Sequence, residues 1–449
     1  MHVVIYTRYW KIGGIERIIQ SLTAGLRPMG YRFSIITEDL PDPDNQFDLG
    51  LEIPIYFREA SPFTAENEAA MRRLLLRLAP DVAVAMGSSR ALYKLPRSLV
   101  DTDIPVVLSE HNSPAHICES LFGSADFLGA IRSYGDLVHV LVEDFGLEAP
   151  EPERIRVIGN PVARQTRFAD VSDQRGRRPE GNVILSVARY DLHQKQQHIL
   201  IEAFARIAER HPDWRLELYG DDWNEGKARL ADLIAAHGLE QRVGLHGHSG
   251  NVAARMLKAQ ILAFPSAFEG WGLAATEALS HGLPVIAFAE CSGVNSLVLD
   301  GVNGILVDGP VTEIEAFAAG LERLMTDEAL RKRLAAAGPA SVAPYSVEEF
   351  LRKWDALLRE AAALRGRNRL AALSFMERDY LRLVASGKLF DQAHAERKKH
   401  RDLAQRLRGG QEAVAPTRSL KAVLRGLAPV GLWRLLHRGR KALRRLRRG

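Results

Sequence analysis

Short apolar runs alternate with longer amphipathic segments over most of this chain. The run from His2 to Tyr6 is followed by a segment, 15–26, in which isoleucine and leucine recur every three or four residues. That spacing predicts a helix with one buried face. Short apolar runs between such helices are typical of parallel strands that are covered on both sides. The predicted strands are 2–6, 32–37, 81–86, 106–110 and 156–158 in the first half, and 183–187, 216–219, 243–245, 261–264, 284–287 and 305–307 in the second.

The polar stretch 168–181, rich in Arg, Asp and Gly, separates two rounds of this alternation. We therefore expect two α/β domains, 1–168 and 169–344, each built on a doubly wound sheet. Ligands on such sheets bind beyond the carboxyl ends of the strands, so two facing domains would enclose a cleft. A single long helix is predicted over 345–364, and a charged helical extension over 365–449.

Composition is that of a globular protein with room for two cores, since 46% of the 449 residues are hydrophobic. The two cysteines, Cys118 and Cys291, are too few for a disulfide framework and fit a reducing cytoplasm. The first residues form a strand-like run without the features of a secretory signal, and no apolar run reaches the length of a membrane span. We expect a cytoplasmic protein.

The net charge of +5 conceals two oppositely charged parts. Residues 1–364 carry 37 Lys and Arg against 49 Asp and Glu, a net −12, whereas residues 365–449 carry 23 against 6, a net +17. Within the second part, 417–449 has eleven Lys and Arg, no Asp or Glu, and leucines at helical spacing with Trp433. A solvated charged face and a nucleic-acid site are alternatives. A basic amphipathic helix with an aromatic residue favours an anionic membrane surface as partner, and no nucleic acid is expected.

The most informative segment is Phe268-Glu269-Gly270-Trp271-Gly272-Leu273-Ala274-Ala275-Thr276-Glu277. It follows a predicted strand and leads through a glycine-bearing turn into a predicted helix. Backbone N–H groups at such a helix start attract anions. Glu269 falls in the turn, and Glu277 lies about two helical turns further on, so both carboxylates can face one cleft.

This segment, together with 278–287 and 303–307, closely resembles the donor-site region of the retaining glycosyltransferases of family 4. Further segments match the family in order: Gly13-Gly14-Ile15-Glu16-Arg17, Glu110-His111-Asn112, Ile158-Gly159-Asn160-Pro161, and Val187-Ala188-Arg189 through Lys195. The resemblance covers about residues 1–362. It implies a GT-B fold, two Rossmann-like domains with the acceptor on the first and a sugar-nucleotide donor on the second, and a helix at 345–364 that crosses back onto the first domain.

The resemblance also implies how the donor diphosphate is bound. Arg189 and Lys195 would stabilise the charge that develops on the departing phosphate. Gly13 and Gly14 would let the backbone approach the same diphosphate. The alternatives are an ordinary surface Arg and Lys, and a tight turn that needs positive φ at the glycines. A full G-x-G-x-x-G motif is absent, which speaks against a dinucleotide oxidoreductase.

The sugar and the ribose would be bound by the Glu269–Glu277 segment. By resemblance, Glu269 bonds a donor-sugar hydroxyl, Glu277 accepts the two ribose hydroxyls, and the segment Gly270-Trp271-Gly272-Leu273 offers backbone N–H groups. The alternatives are a helix cap for Glu269 and a solvated position for Glu277. Because Trp271 stands where the family more often has a smaller or different aromatic residue, we expect an unusually shaped sugar pocket.

His111 follows a predicted strand and would enter the cleft from the first domain. By resemblance it contacts hydroxyls of the donor or the acceptor; a structural role is the alternative, and a role as base is left open. In retaining enzymes of this fold, a same-face displacement is favoured, in which the leaving phosphate accepts the acceptor proton. No covalent nucleophile is assigned.

No metal and no cofactor are expected. Asp42-Pro43-Asp44 and Asp101-Thr102-Asp103 match the Asp-x-Asp pattern of metal-dependent glycosyltransferases, but both lie in polar, loop-like segments where such triplets arise by chance. His246-Gly247-His248 lacks the accompanying Cys or carboxylate ligands of a zinc site. Arg189, Lys195 and the helix starts would supply the positive charge instead.

The sequence thus predicts a retaining, metal-independent hexosyltransferase. It would use a nucleotide-diphosphate sugar, UDP-linked by family analogy, and a lipid-linked or saccharide acceptor in bacterial surface polysaccharide biosynthesis. It would act at the inner face of the plasma membrane. The alternatives are a sugar-nucleotide epimerase or hydrolase on a similar fold, which would turn over the donor without an acceptor, and a catalytically silent, membrane-associated binding protein.

Overall fold

The structure is a computed structural model, and it describes residues 1–8, 10, 13–38, 52–57, 65–87, 89–99, 102–117, 125–146, 151–162 and 182–366. The predicted domain join at 168–181 lies outside the described residues. So does the predicted basic extension 365–449, including 417–449, for which a membrane surface is predicted as partner, apart from Arg365 and Gly366.

The first sheet has seven parallel strands in the order β3-β2-β1-β4-β5-β6-β7. Its strands are β1 His2–Thr7, β2 Arg32–Thr37, β3 Ile55–Phe57, β4 Val82–Gly87, β5 Val106–Glu110, β6 Leu137–Val140 and β7 Ile155–Val157. Its helices are α1 Gly14–Leu26, α2 Ala65–Leu78, α3 Ser89–Ser98, α4 Pro114–Ile117 and α5 Ala125–Arg132. The chain reverses its direction of travel across the sheet between β1 and β4, which is where ligands of doubly wound sheets bind.

The second sheet has six parallel strands in the order β10-β9-β8-β11-β12-β13. Its strands are β8 Asn182–Val187, β9 Trp214–Tyr219, β10 Val243–His246, β11 Ile261–Phe264, β12 Val285–Phe288 and β13 Gly304–Val307. Its helices are α6 Gln197–Ile207, α7 Gly226–Ala236, α8 Val252–Lys258, α9 Leu273–Ser280, α10 Ile314–Thr326 and α11 Glu328–Val342. The corresponding reversal point lies between β8 and β11.

The last described helix, α12 Val347–Ala363, follows the second domain in the chain but packs on the first. Ser346 caps it by accepting a hydrogen bond from the N–H of Glu349 at 3.2 Å. Its Phe350, Trp354 and Leu358 are buried with the residues of β1 and α1. This is the crossing that the family resemblance implied for 345–364.

The sequence predictions locate most strands to within one or two residues, but they miss β3 and β6. Strand β3 is Ile55–Phe57, a run of three apolar residues that is too short to stand out along the sequence, and none of the three is buried. Strand β6 is fully buried but carries His139, which interrupts its apolar pattern. No helix in the described part of the chain is both long and apolar enough to cross a bilayer.

Candidate active site

The loops after four strands carry the predicted site residues to the edge where the two sheets face each other. Gly13 and Gly14 follow β1, and His111 follows β5 directly. In the second domain, Arg189 and Lys195 follow β8, and Glu269 follows β11. In the second sheet, the loops after β8 and β11 therefore flank the reversal point, whereas in the first sheet the loop after β1 lies at the reversal point and His111 follows β5, one strand beyond it.

The loop after β8 is organised by a single carboxylate. Asp191 accepts the N–H groups of His193 and Gln194, both at 3.1 Å, through Oδ1. Its other oxygen accepts from Nε and Nη2 of Arg189 at 3.2 and 3.1 Å, and Nη2 also donates to Gln194 Oε1 at 2.7 Å. The Trp223 ring lies over the same guanidinium at 4.8 Å. Arg189 is thus held on two sides, while its side chain remains 43% exposed and able to meet a ligand.

Lys195 and Glu269 form an ion pair that joins the two loops of the second domain. Lys195 Nζ lies 2.5 Å from Glu269 Oε1, with side-chain exposures of 17% and 8%. The backbone of Ala267 donates to the carbonyl of Gln194 at 2.8 Å and fixes the two loops to each other. The alternative that Lys195 is an ordinary surface residue is therefore wrong. The cap alternative for Glu269 is also wrong, because Gly272 is the N-cap residue of α9 and no side chain caps it.

Two helix starts converge between the domains. A Cβ atom on Gly14, the first residue of α1, would lie 3.1 Å from Cδ1 of Leu273, the first residue of α9. Gly272 has φ +85°, which strongly favours glycine at this turn. Among the described residues, none accepts a hydrogen bond from the N–H groups of residues 270–274. Gly13 has φ −165°, an ordinary extended conformation, so the positive-φ turn proposed as the alternative is wrong.

Glu277 meets the first domain through Arg17. Arg17 Nη1 on α1 lies 3.7 Å from Glu277 Oε1 on α9. Burial raises the pKa of Glu277, and the charges of Arg17 and His281 oppose that rise. The carboxylate is about one-third exposed, so it is neither an isolated surface group nor closed off from a ligand.

His111 is buried at the end of β5, beside the glycine-bearing loop of the second domain. Its exposure is 9%, and a Cβ atom on Gly270 would lie 2.2 Å from the His111 carbonyl oxygen. Ser109 Oγ hydrogen bonds both His111 Nε2, at 3.0 Å, and His139 Nδ1, at 2.8 Å. Burial, with a smaller contribution from His139, lowers the pKa of His111 to about 3, so the ring is neutral near pH 7. The Glu110 carboxylate is not available to a ligand, because Arg132 binds both its oxygens at 2.8 and 2.7 Å.

The Trp271 side chain lies in the core of the first domain. Its ring occupies the space beside Gly159, where a Cβ atom would be 2.2 Å from the Trp271 Cη2 atom. It packs edge-to-face on Tyr345 with centroids 4.7 Å apart, and it is 3% exposed. The expectation that the Trp271 ring shapes the sugar pocket is therefore wrong, because the ring is buried in the first domain. Trp271 offers a ligand only its backbone, and its indole joins the two domains.

The described part of the chain contains no cluster of three or more His, Cys, Asp or Glu side chains suited to a metal. Asp103 pairs with Arg365 at 3.3 Å, whereas Asp42, Asp44 and Asp101 lie outside the described residues. His246 pairs with Glu217 and stacks on Tyr219 at 4.4 Å.

Sequence reasoning missed several residues that shape the site: Asp191, Gln194, Trp223, Arg17, Ser109 and His139. Arg17 belongs to the Gly13–Arg17 motif, and Trp223 follows a strand at its carboxyl end, so both carried a signal. Ser109 and His139 carried none, because their contact depends on the register of β5 against β6.

Comparisons with known proteins agree with this architecture. The sequence model described as Glycosyltransferase Family 4 matches residues 12–165, and the one described as Glycosyl transferases group 1 matches residues 168–341. The crystal structure of Anabaena Alr3699/HepE in complex with UDP and glucose superposes with a TM-score of 0.66 at 21% identity, covering 80% of this chain and 99% of that one.

Two curated relatives cover large parts of the chain. The exopolysaccharide phosphotransferase SCO2592 of Streptomyces coelicolor is 26% identical over 68% of this chain, which spans only 31% of that relative's length. The phosphatidyl-myo-inositol mannosyltransferase of Mycobacterium tuberculosis is 29% identical over 74% of this chain and 89% of its own length. Because the two family matches follow the two sheets in order and together exceed half of the sequence, the chain belongs to the GT-B glycosyltransferases of family 4 and group 1.

Proposed function

We propose that this glycosyltransferase moves a hexose, with retention of configuration and without a metal, from a UDP-linked sugar to a lipid-linked or saccharide acceptor. The pathway would be the assembly of a bacterial surface polysaccharide. One observation carries the proposal: backbone N–H groups at the start of α9, which meet no acceptor among the described residues, lie against the start of α1, and the loop before them contacts Lys195 through Glu269 and Arg189 through Gln194.

This arrangement suits a departing diphosphate. When the anomeric C–O bond breaks, negative charge grows on the outer phosphate, and fixed N–H dipoles and cations stabilise that charge most strongly in the transition state. Lys195, Arg189 and two helix starts supply positive charge of the kind that a metal ion supplies elsewhere. This is the basis for proposing metal independence.

The two glutamates would then bind the rest of the donor. Glu277 would accept the ribose hydroxyls, displacing the long contact to Arg17, since a carboxylate can accept two hydroxyl donors at once. Glu269 would bond a hydroxyl of the sugar. Its pairing with Lys195 makes it a poor nucleophile, which supports a same-face displacement in which the leaving phosphate takes the acceptor proton.

The acceptor and the location are proposed from the relatives and the tail. One relative is named as an exopolysaccharide phosphotransferase and another as a phosphatidyl-myo-inositol mannosyltransferase, and these names support the proposal of a saccharide or lipid-linked acceptor. The eleven cations of 417–449 would hold the protein at the inner face of the plasma membrane.

Ligand-observed NMR against a panel of sugar nucleotides tests the proposal. We expect a UDP-hexose to bind in preference to the other nucleotide sugars, and a suitable acceptor to trigger release of UDP and transfer of the hexose with retention. Turnover of the donor without any acceptor would instead support the epimerase or hydrolase. Donor binding that no acceptor converts into turnover, unaltered by Glu269→Ala, would support the silent binding protein.

A further inference from the structure

A line of buried hydrogen bonds runs across the carboxyl edge of the first sheet to His111. The Ile158 carbonyl, just after β7, contacts His139 Nε2 at 2.7 Å. His139 Nδ1 contacts Ser109 Oγ at 2.8 Å, and Ser109 Oγ contacts His111 Nε2 at 3.0 Å. Ser109 and His139 are 0% and 1% exposed, so water does not compete for these bonds.

The chemistry of the groups fixes the direction of every bond in this line. A backbone carbonyl only accepts, so His139 carries its proton on Nε2 and donates it to Ile158. Burial lowers the pKa of His139 to about 4, so near pH 7 the ring is neutral and its Nδ1 is an acceptor. The Ser109 hydroxyl therefore donates to His139, and its oxygen accepts from His111 Nε2. His111, also neutral, is left with an unprotonated Nδ1.

We propose that Ser109 and His139 are positioning residues that hold the His111 proton on Nε2, so that His111 Nδ1 accepts a hydrogen bond from a hydroxyl of the donor sugar. This inference rests on the proposed function. The donor sugar, rather than the acceptor, is indicated by the contact between the His111 carbonyl and Gly270, which lies next to Glu269 in the loop between β11 and α9.

Other contacts hold the line rigid. The His139 ring packs edge-to-face on Trp354 of α12, with centroids 4.9 Å apart. Ser109 and His139 are register partners on β5 and β6. Among the described residues, none makes a hydrogen bond to His111 Nδ1, so this nitrogen can accept a hydrogen bond from a ligand. A hydroxyl that donates can bond there, whereas a group that only accepts cannot.

The chain offers a matched control. Ser34 Oγ makes a buried hydrogen bond to His2 Nε2 at 2.9 Å, in the same sheet but outside the proposed site. Ser34→Ala therefore removes one buried serine–histidine bond, and Ser109→Ala removes two, to His111 and His139. If Ser109 acted on stability alone, neither variant would change the His111 proton or the sugar affinity of the folded protein.

The test uses the full-length protein with ¹⁵N-labelled histidine, and His111→Gln assigns the His111 signals. In the wild type we expect His111 to be neutral and protonated on Nε2, with slow solvent exchange of that proton. Ser109→Ala should speed the exchange at least tenfold, and Ser34→Ala should leave it unchanged. Affinity for UDP-glucose should fall about tenfold in Ser109→Ala while affinity for UDP is kept, as expected for one lost sugar hydrogen bond.

Three results would overturn the inference: a wild-type His111 protonated on Nδ1, equal His111 exchange rates in both serine variants, or equal UDP-glucose affinities in both. The exchange measurement needs no sugar. If the wild type bound neither UDP nor UDP-glucose, the proposed UDP donor would fail, and the exchange rates alone would still decide whether Ser109 holds the His111 proton.

Discussion

At the scale of residues, the Lys195–Glu269 ion pair gives the clearest prediction for stability and activity. The pair is mostly buried, and it lies at the proposed phosphate site. Without a ligand each charge neutralises the other. A bound diphosphate would share Lys195 with Glu269. Removing one member of a buried pair leaves an uncompensated charge, which typically costs about 3–5 kcal/mol, so stability and activity must be separated by design.

We predict that Lys195→Met lowers both turnover, by two or more orders of magnitude, and the melting temperature. Lys195→Met combined with Glu269→Gln should recover most of the melting temperature but none of the activity, because the phosphate still lacks its cation. Steady-state kinetics and thermal melts measure the two effects. The control is Lys332→Met, which breaks an exposed Lys–Glu pair and should change neither. Wild-type kcat in Lys195→Met would remove Lys195 from the mechanism.

Trp223 is predicted to act by holding Arg189. A cation–π contact at an exposed site is worth about 0.5–1 kcal/mol, so Trp223→Ala should lower kcat/KM by about two- to fivefold. Trp223→Phe keeps a ring over the guanidinium and should retain most of the activity. Equal losses of kcat/KM in Trp223→Ala and Trp223→Phe would show that the cation–π contact does not cause the loss.

At the scale of elements, the loop from β11 to α9 is the part of the second domain that enters the first. Gly270 lies against the His111 backbone, and Trp271 lies beside Gly159. A side chain at Gly270 would overlap main-chain atoms, which cannot move aside as the end of a flexible side chain can.

We therefore predict that Gly270→Ala reduces kcat/KM at least a hundredfold by pushing the loop from β11 to α9 away from His111. Gly304→Ala is a matched control, because its Cβ atom would lie 2.3 Å from the Val285 carbonyl oxygen within the second sheet. Both variants should melt at lower temperature. Only Gly270→Ala should lose activity per folded molecule, measured at a temperature below the melting transitions of both variants.

The same elements show how far the sequence could be interpreted. Alternating apolar segments and ordered motifs identify the two sheets, the loops at their carboxyl ends and the segment that carries Glu269 and Glu277. They do not indicate that Trp271 is buried in the other domain, since its neighbours Gly159 and Tyr345 are distant in sequence. The Ser109–His139 contact was equally hidden, because β6 itself was not predicted and register across a sheet has no local signature.

At the scale of the whole molecule, the buried His139 should make the free energy of unfolding depend on pH. The pKa of His139 is lowered from 6.5 to about 4 by burial, so between these values the unfolded chain binds a proton that the folded chain does not. Stability therefore falls as the pH drops below about 6.5, by about 2 kcal/mol from this group at pH 5.

We predict that His139→Gln is less stable than the wild type at pH 7 but loses about 2 kcal/mol less between pH 7 and pH 5. Urea unfolding at each pH measures the two free energies. Parallel curves of unfolding free energy against pH would show that His139 takes up no proton on unfolding.

The strong charge division along the chain leads to the last prediction. An acidic body of net −12 is repelled by an anionic bilayer, so attachment would depend on the cations of 417–449, each worth about 1 kcal/mol near the headgroups. Deleting 417–449 should abolish co-sedimentation with vesicles of anionic lipid and leave activity on a soluble acceptor unchanged.

Raising the salt concentration should release the full-length protein in part, because exposed charges are screened within about 10 Å at 0.1 M salt. Neutral vesicles are the control and should bind neither protein. Equal co-sedimentation of both proteins with anionic vesicles would assign membrane binding to the folded domains and leave the tail for another partner.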